Sequence, residues 1–270
     1  MTPISIVIIT KNEAEAVVAC IKASKQITDD IIVVDNDSTD GTPIIARMLG
    51  CRVYHEHWDG YGANKNKGIG YARYDWILSI DADEVPDEEL ISALHKAELG
   101  NPEIVYDVRF MSYYGKKPIL FGAWGRDHHI RLFNRKLVRW SEPPVHETLV
   151  LHPVIRVKKL QGYLHHYSVK DSSECYLKTI HYARLNAEKY RINGKKATFV
   201  KLHLAPTFHF IKNYIVFLGF LDGREGWDIA WMISRHTRLK YRLLKKLSTN
   251  TYREIPQIKD KLVVEYGFKS

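Results

Sequence analysis

Apolar and polar residues come in blocks along the first hundred positions of the chain. Four short runs predict β-strands, at residues 4–10, 30–35, 51–56 and 75–81. The first, second and fourth runs are almost continuously Val, Ile and Leu, which is typical of parallel strands covered on both faces. Helical stretches are predicted after each strand, at residues 13–25, 41–49, 63–73 and 87–98. This alternation of strand and helix predicts an open α/β sheet.

The alternation stops after residue 100. Further strands are predicted at 103–115, 128–136 and 156–168, the first two around the loop FGAWGRD, and helices at 171–192, 196–219 and 226–247. We therefore expect an α/β catalytic domain at 1–168, with halves at 1–100 and 101–168. A basic helical appendage would follow at 169–250, and a tail at 251–270.

Charge is concentrated in the predicted appendage. The chain of 270 residues has a formal net charge of +9, and residues 189–246 hold 13 Lys or Arg but only 3 Asp or Glu. This bias suits an anionic partner such as nucleic acid, anionic lipid or a phosphorylated glycan. The apolar stretch 204–221 is interrupted by Pro206, His209 and Lys212. It therefore favours an interfacial or core helix over a membrane span.

The termini and the cysteines bear on the cellular compartment. The opening MTPISIVIIT lacks the basic segment and small-residue cleavage site of a signal peptide, so none is expected. The three cysteines, Cys20, Cys51 and Cys175, lack metal-ligand or redox spacing. They predict buried free thiols in a reducing compartment, which favours a cytoplasmic protein.

Three of the predicted strands end in polar clusters. The clusters are TKNE at 10–13, DNDSTDGT at 35–42 and DADE at 81–84. In an open α/β sheet, ligands bind at the carboxyl ends of the strands. Asp81 and Asp83 are two positions apart on an extended segment, so their carboxylates face the same way. Such a pair suits a hard divalent cation that also binds substrate phosphates.

The motifs SIVIITKNE, IIVVDNDSTDGT, GYGANKNKGI and WILSIDADE occur in this order and resemble the successive motifs of family 2 glycosyltransferases. Later segments, RLFNR, PPVHETL, LHHYS and FLGFLDGREGWDIA, are similar to a branch of lipopolysaccharide core β-glucosyltransferases, the WaaE/KdtX type and the related LgtF enzymes. The resemblance covers roughly residues 4–245. It implies the GT-A fold, a Rossmann-like open sheet of nucleotide-diphospho-sugar transferases.

The resemblance also implies an activity and a set of donor-site residues. The activity is metal-dependent, inverting transfer of a hexose, with UDP-glucose the expected donor and an inner-core heptose of lipopolysaccharide the expected acceptor. By motif, Thr10, Asn12 and Glu13 would line the nucleotide pocket and Asp35 would accept the uracil N3–H. Lys65 would lie near the base or the phosphates.

Asp81 would lie by the ribose and the metal, and Asp83 would be the main ligand of Mg²⁺ or Mn²⁺. His166 is the candidate late histidine ligand, with a simple packing or hydrogen-bonding role as the alternative.

The acceptor hydroxyl needs a general base. Glu147 in the motif VHE is our candidate, with His146 as the alternative base or as its orienting partner. A purely structural ion pair is the competing interpretation of Glu147. For the acceptor side we name Trp124, Arg126, Arg131 and Arg135, as a sugar platform and phosphate contacts. The alternatives are a buried core tryptophan and a solvated face of arginines.

Two other functions are compatible with parts of the sequence. A nucleic-acid-binding protein would explain the basic helices, but the chain has no helix-turn-helix, zinc or basic–aromatic strand pattern, and the acidic strand ends would be unexplained. No nucleic acid partner is therefore expected. The same fold acting on a polyprenyl phosphate or another glycan is the closer alternative. The expected partners are the nucleotide-sugar, an anionic lipid A–core acceptor and the anionic inner face of the cytoplasmic membrane, with the protein bound peripherally.

Overall fold

The computed structural model describes residues 3–142 and 147–248. The chain divides into two compact units. Among the described residues, the first unit comprises those up to 175 together with 212–230, and the second comprises 176–211 together with 231–248. In this division residues 212–230 group with the sheet. The domain boundaries expected from the sequence stay a prediction. The expected tail at 251–270 lies outside the described residues.

Strands β1 to β11 follow in chain order, and the sequence predicts the longer ones to within two residues of each end. Their bounds are β1 Ile4–Thr10, β2 Ile31–Asp35, β3 Arg52–His55, β4 Trp76–Asp81, β5 Glu84–Pro86, β6 Ile104–Tyr114, β7 Lys117–Pro118, β8 His128–Asn134, β9 Arg139–Trp140, β10 Leu149–Val150 and β11 Arg156–Val169. In the described part of the chain, one sheet holds nine strands, eight of them in the order β3-β2-β1-β4-β8-β6-β11-β5. β7 pairs with β6 outside this path, and β9 with β10 forms a separate small sheet.

β1 lies inside the sheet because both of its faces are apolar. It pairs in parallel with β2 on one side and with β4 on the other. Ile6 and Ile8 pack into one core cluster, whereas Val7 and Ile9 pack into a second. Two hydrophobic layers therefore cover this strand, as the continuous apolar run predicts.

The second half of the sheet is mixed in direction. β8 lies between β4 and β6 and is antiparallel to both. β11 then runs parallel to β6 and antiparallel to the short strand β5. The strand β5 is not predicted by the sequence, since its three residues directly precede a helix. It is this pairing that brings the end of β11 beside the segment after β4.

The helices are α1 Ala16–Ser24, α2 Thr42–Met48, α3 Tyr61–Gly70, α4 Glu88–His95, α5 Ser172–Ile192, α6 Phe199–Ile211 and α7 Gly223–Ser248. The helix predicted at 196–219 is shorter than expected: after α6 the chain forms a π-helical turn, Lys212–Val216, and a 3₁₀ turn, Gly219–Asp222. The second unit has a small core formed by Ala187, Tyr241 and Leu244. All three cysteines are buried, as predicted.

Within the described residues, no helix taken singly is long and apolar enough to cross a bilayer. One bent pair, 199–216 with 219–248, meets the criteria of length and composition when its members are taken together.

Candidate active site

Three strand ends lie side by side at the carboxyl edge of the parallel strands. Thr10, the last residue of β1, is paired in register with Asp35, the last residue of β2. On the other side of β1, Ile9 is in register with Asp81 at the end of β4. The predicted clustering of polar strand ends is therefore present, and it follows directly from the parallel pairing of β2, β1 and β4.

Asp35 is buried and only partly satisfied. Its Oδ2 accepts a hydrogen bond from the backbone N–H of Ser38 at 3.2 Å and lies 3.3 Å from Nδ1 of His55. Its Oδ1 is buried and has no hydrogen-bond partner among the described residues, and the same holds for Oγ1 of Thr10. A buried carboxylate oxygen without a donor is unfavourable. The arrangement therefore suits a ligand that brings an N–H donor to this edge.

Asn12 links the loop after β1 to the loop after β2 by hydrogen bonds. Its φ of 56° is in the left-handed region, which Asn tolerates better than most residues. Its backbone N–H donates to Oγ of Ser38 at 2.9 Å, and its Oδ1 accepts the backbone N–H of Thr39 at 2.7 Å. The N–H of Glu13 donates to Oγ1 of Thr42 at 2.9 Å. The side chain of Asn12 thus stabilises the conformation of the two loops at this edge of the sheet.

Two cations compensate the carboxylates at the end of β4. Nζ of Lys65 lies 3.4 Å from Oδ1 of Asp81, and Nη2 of Arg131 lies 3.6 Å from its Oδ2. Burial by itself would raise the pKa of Asp81, but Lys65 and Arg131 lower it to about 2. Glu84 is almost fully buried and contacts the guanidinium of Arg131, while its Oε2 accepts the N–H of Asp81 at 2.9 Å. Burial raises the pKa of Glu84 to about 7, against the attraction of Arg131.

Asp83 and His166 come together through the pairing of β5 with β11. His166 is in register with Glu84, and the N–H of Tyr167 donates to the carbonyl of Asp83 at 3.1 Å. As a result, Nε2 of His166 lies 3.3 Å from Oδ2 of Asp83. Burial would lower the pKa of His166, but the hydrogen bond and charge of Asp83 raise it.

The carboxylate of Asp83 is a suitable ligand for Mg²⁺ or Mn²⁺, whereas the imidazole of His166 is a softer ligand that can bind a cation only in its neutral form. In residues 3–142 and 147–248, no group of three or more His, Cys, Asp or Glu side chains has the geometry of a metal site. Asp83 and His166 together offer two protein ligands, which suits a cation whose coordination is completed by phosphate oxygens and water. That is the usual binding mode of Mg²⁺ at a nucleotide.

Glu147 meets the same cluster through Lys65. Its Oε1 lies 3.0 Å from Nζ of Lys65, whose ammonium also lies 4.6 Å above the ring of Trp140. Glu147 is largely buried, with 15% of its side chain exposed. Gly62 allows this approach, because a Cβ there would lie 1.9 Å from the carbonyl oxygen of Ser141. His146, the alternative base, lies outside the described residues.

The acceptor-side residues named from the sequence separate into different environments. Trp124 is partly exposed and packs at 6.4 Å from the ring of Tyr114. Arg126 is exposed, with its guanidinium 4.6 Å from the ring centre of Phe217. Arg131 is buried in the acidic cluster beside Asp81 and Glu84, so it is not part of a solvated face, and its expected phosphate contact stays a prediction.

Arg135 lies away from this edge, and its expected phosphate contact stays a prediction. Its Nε is 3.1 Å from Oδ1 of Asp75, which directly precedes β4. Asp75 and Asp81 are at opposite ends of that strand, a span of about 20 Å at the usual rise per residue. The guanidinium of Arg135 therefore stabilises the loop at the amino end of β4.

Asp127 lies close to the site, although it is not among the site residues predicted from the sequence. It lies 3.1 Å from Nε2 of His129. Burial would raise its pKa, but the bond to His129 and the nearby charges of His166 and Arg131 lower it. The signal was available in the sequence, since Asp127 is followed directly by two histidines.

The chain belongs to glycosyltransferase family 2, because the family model described as Glycosyl transferase family 2 matches residues 5–153. An uncharacterised glycosyltransferase of Rickettsia prowazekii is 30% identical over 265 residues, covering 93% of this chain and 90% of that protein. A lipopolysaccharide core biosynthesis glycosyltransferase, LpsC of Rhizobium meliloti, is 28% identical over 225 residues, covering 78% of this chain and 80% of that protein.

Among solved structures, glucosyl-3-phosphoglycerate synthase from Mycobacterium tuberculosis, in complex with Mn²⁺, uridine diphosphate and glucosyl-3-phosphoglycerate, matches with 26% identity and a TM-score of 0.35. The match covers 43% of this chain and less than half, 45%, of that chain. Family membership and the mixed open sheet together confirm the GT-A fold with a C-terminal helix, and they confirm that the protein is a glycosyltransferase.

Proposed function

We propose that this chain is a metal-dependent, inverting glycosyltransferase that moves glucose from UDP-glucose to an inner-core heptose of lipopolysaccharide. One observation carries the proposal. The unsatisfied oxygen of Asp35 is at the end of β2, and Asp83, which pairs with His166, follows the end of β4; β2 and β4 flank β1 on its two sides. A site for a base and a site for a cation on the same edge suit the two ends of a nucleoside diphosphate.

The donor is bound by residues with separate tasks. Oδ1 of Asp35 would accept the N3–H of uracil, with Thr10, Asn12 and Glu13 around it. Asp83 and His166 would hold Mg²⁺ or Mn²⁺, with Asp81 beside them and close to the ribose. A divalent ion held there would neutralise the charge that builds on the leaving diphosphate. Lys65 adds a fixed positive charge next to Asp81.

Glu147 is assigned as the general base. The oxygen of the acceptor hydroxyl attacks the anomeric carbon, the bond from that carbon to the diphosphate oxygen breaks, and the hydroxyl proton passes to the carboxylate of Glu147. Attack from the face opposite the leaving group inverts the anomeric configuration. Proton removal of this kind contributes about 10²–10⁴-fold to the rate. The ion pair with Lys65 orients the carboxylate before the acceptor arrives.

The acceptor assignment has two supports. One is the similarity to LpsC, whose name places that relative in lipopolysaccharide core biosynthesis. The other is the composition of the helical region: residues 189–246 are strongly basic, and α6 exposes large apolar side chains, among them Phe199, Leu204 and Phe208. Basic residues near an anionic leaflet contribute about 1 kcal/mol each. We therefore place the enzyme on the inner face of the cytoplasmic membrane, with an anionic glycolipid as acceptor.

The test offers the purified protein UDP-glucose and other UDP-sugars, with lipopolysaccharide truncated after the inner-core heptose as acceptor. We expect acceptor-dependent UDP release that is fastest with UDP-glucose, and a β-linked product. Transfer to a polyprenyl phosphate with no reaction on the truncated lipopolysaccharide would favour the alternative acceptor. No acceptor-dependent UDP release from any sugar would contradict the proposal.

A further inference from the structure

The chain interrupts its helices to expose an apolar tip, defined here as residues 215–221. The π-helical turn Lys212–Val216 is followed by Leu218 in a left-handed conformation, with φ of 59°, and then by a 3₁₀ turn. Five large apolar side chains of the tip are exposed: Ile215 by 55%, Val216 by 62%, Leu218 by 41%, Phe220 by 44% and Leu221 by 55%. Five exposed large apolar side chains within seven consecutive residues indicate a contact surface.

The tip is held in place by two buried polar side chains. The carboxylate of Asp222, 4% exposed, accepts the backbone N–H groups of Leu120 and Phe121 at 3.2 and 2.9 Å. Oδ1 of Asn213, 5% exposed, accepts the N–H of Ala123 at 3.1 Å. The carbonyl of Phe217 accepts the N–H of Gly122 at 2.9 Å. The apolar side chains are thus presented on an ordered backbone that is fastened to loop 119–126.

Cations border the tip. The guanidinium of Arg126 lies 4.6 Å from the ring centre of Phe217, and Nζ of Lys212 lies 5.1 Å from the same centre. Trp227, 46% exposed, packs edge-on against Tyr214 at 5.2 Å. Apolar side chains bordered by cations and an exposed tryptophan are typical of a surface that enters the headgroup region of an anionic membrane.

We infer that the apolar tip inserts into an anionic lipid bilayer, with Arg126 and Lys212 at the level of the headgroups. The tip belongs to the same compact unit as the sheet. The tip is hydrogen-bonded to loop 119–126, and the next residue along the chain is Asp127, which neighbours His129 and His166. Insertion therefore fixes the height of the sugar-transfer site above the membrane. This last step, which serves a lipid-linked acceptor, rests on the proposed function; insertion itself does not.

The test compares two double variants of the full chain. Val216→Ser with Leu221→Ser removes apolar area from the tip, whereas Ile44→Ser with Met48→Ser removes it from the exposed face of α2, where these residues are 60% and 83% exposed. Binding is measured by flotation with vesicles of phosphatidylcholine, with or without phosphatidylglycerol. We expect wild type and the α2 variant to bind the anionic vesicles equally, and the tip variant to bind about tenfold more weakly or worse. Equal binding of all three proteins would overturn the inference.

A second measurement reports insertion directly. An environment-sensitive dye is attached to Val216→Cys or, as the control, to Met48→Cys; the three native cysteines are buried. A blue shift with anionic vesicles at position 216 alone supports insertion, and no shift at 216, or equal shifts at both positions, overturns it. Titration with UDP separates the two proposals. If the tip variant loses vesicle binding but still binds UDP, it is folded and the loss is due to the tip. If the wild type inserts into vesicles but binds no UDP, only the proposed function is contradicted.

Discussion

Lys65 and Glu147 form an ion pair of 3.0 Å across 82 positions of the chain. The same ammonium lies 3.4 Å from Oδ1 of Asp81, so one buried lysine joins the end of β4 to the segment that carries the candidate base. This contact gives Glu147 a structural role as an ion-pair partner and, at the same time, places its carboxylate at the site. The two interpretations of Glu147 are therefore compatible, and kinetics can separate their contributions.

Glu147→Gln should lower the rate of sugar transfer by about 10²–10⁴-fold, since an amide cannot accept the hydroxyl proton. UDP binding should change little. The control is Glu142→Gln, because Glu142 is exposed and its carboxylate bonds only to Nδ2 of Asn66 among the contacts described. Initial rates with saturating donor measure the effect. Near-full transfer by Glu147→Gln would remove this residue from the role of base.

Replacing Lys65 should destabilise the fold more than replacing its neighbour Lys67 on α3. Lys65→Met leaves Glu147 and Asp81 without a shared cation, and removing one partner of a buried ion pair costs about 3–5 kcal/mol. Lys67, 29% exposed, pairs with Asp59 and Glu56 at the surface. Lys67→Met should cost less than about 1 kcal/mol. Urea unfolding measures both, and similar losses would argue against a buried cluster centred on Lys65.

Replacing either of two glycines of α3 by alanine should change the stability of the fold in opposite directions. At Gly62 a Cβ would lie 1.9 Å from the carbonyl oxygen of Ser141 and 3.1 Å from Cβ of Glu147. Backbone must move, so Gly62→Ala should cost about 1–3 kcal/mol and slow transfer by displacing Glu147. At Gly70 a Cβ meets no described atom within 4 Å, and Gly70→Ala should stabilise by about 0.5–1 kcal/mol. Thermal unfolding and transfer rates test the pair, and a neutral Gly62→Ala would refute the close approach.

Asp30 should make stability depend on pH. Its buried carboxylate accepts hydrogen bonds from the hydroxyl of Ser5, the backbone N–H of Arg73 and the guanidinium of Arg52. Burial would raise its pKa, but these donors lower it. The stabilisation is therefore present above the unfolded pKa, about 3.9, and is lost as the pH falls through the lower folded value.

Asp30→Asn should accordingly cost about 1–3 kcal/mol at pH 7, with the difference from wild type shrinking at acidic pH. The control is Asp29→Asn, since Asp29 is half exposed and pairs with Arg73 at the surface. The free energy of unfolding of Asp29→Asn should stay within about 0.5 kcal/mol of wild type. Denaturant unfolding over a pH series measures both variants. A loss at Asp30 that does not vary with pH would show that the charge of this carboxylate is not what stabilises the fold.

The sequence predicted the parallel half of the fold well, for a physical reason. β1 and β2 are buried along their whole length, so their apolar runs are unbroken and their polar ends are conspicuous. Because parallel neighbours end at the same edge, the proximity of Thr10, Asp35 and Asp81 could be inferred without coordinates.

The mixed half was less predictable because it depends on pairing between distant segments. Arg131 and Arg135 occur in the same short motif, RLFNR, yet one is buried against Glu84 while the other pairs with Asp75 at the far end of β4. The antiparallel insertion of β8 beside β4 decides this, and no local pattern reveals it. The contact between His166 and Asp83 likewise depends on the three-residue strand β5.

The central claim is that a metal ion held by Asp83 binds the diphosphate of a uridine nucleotide at the carboxyl edge of the sheet. Isothermal titration of UDP and GDP, with and without Mn²⁺, tests it on wild type, Asp83→Ala and the control Asp75→Ala, a carboxylate at the opposite end of β4. The account predicts UDP binding that requires Mn²⁺, is retained in Asp75→Ala and is lost in Asp83→Ala, with weaker binding of GDP. UDP binding that is indifferent to Mn²⁺ and to Asp83 would contradict it.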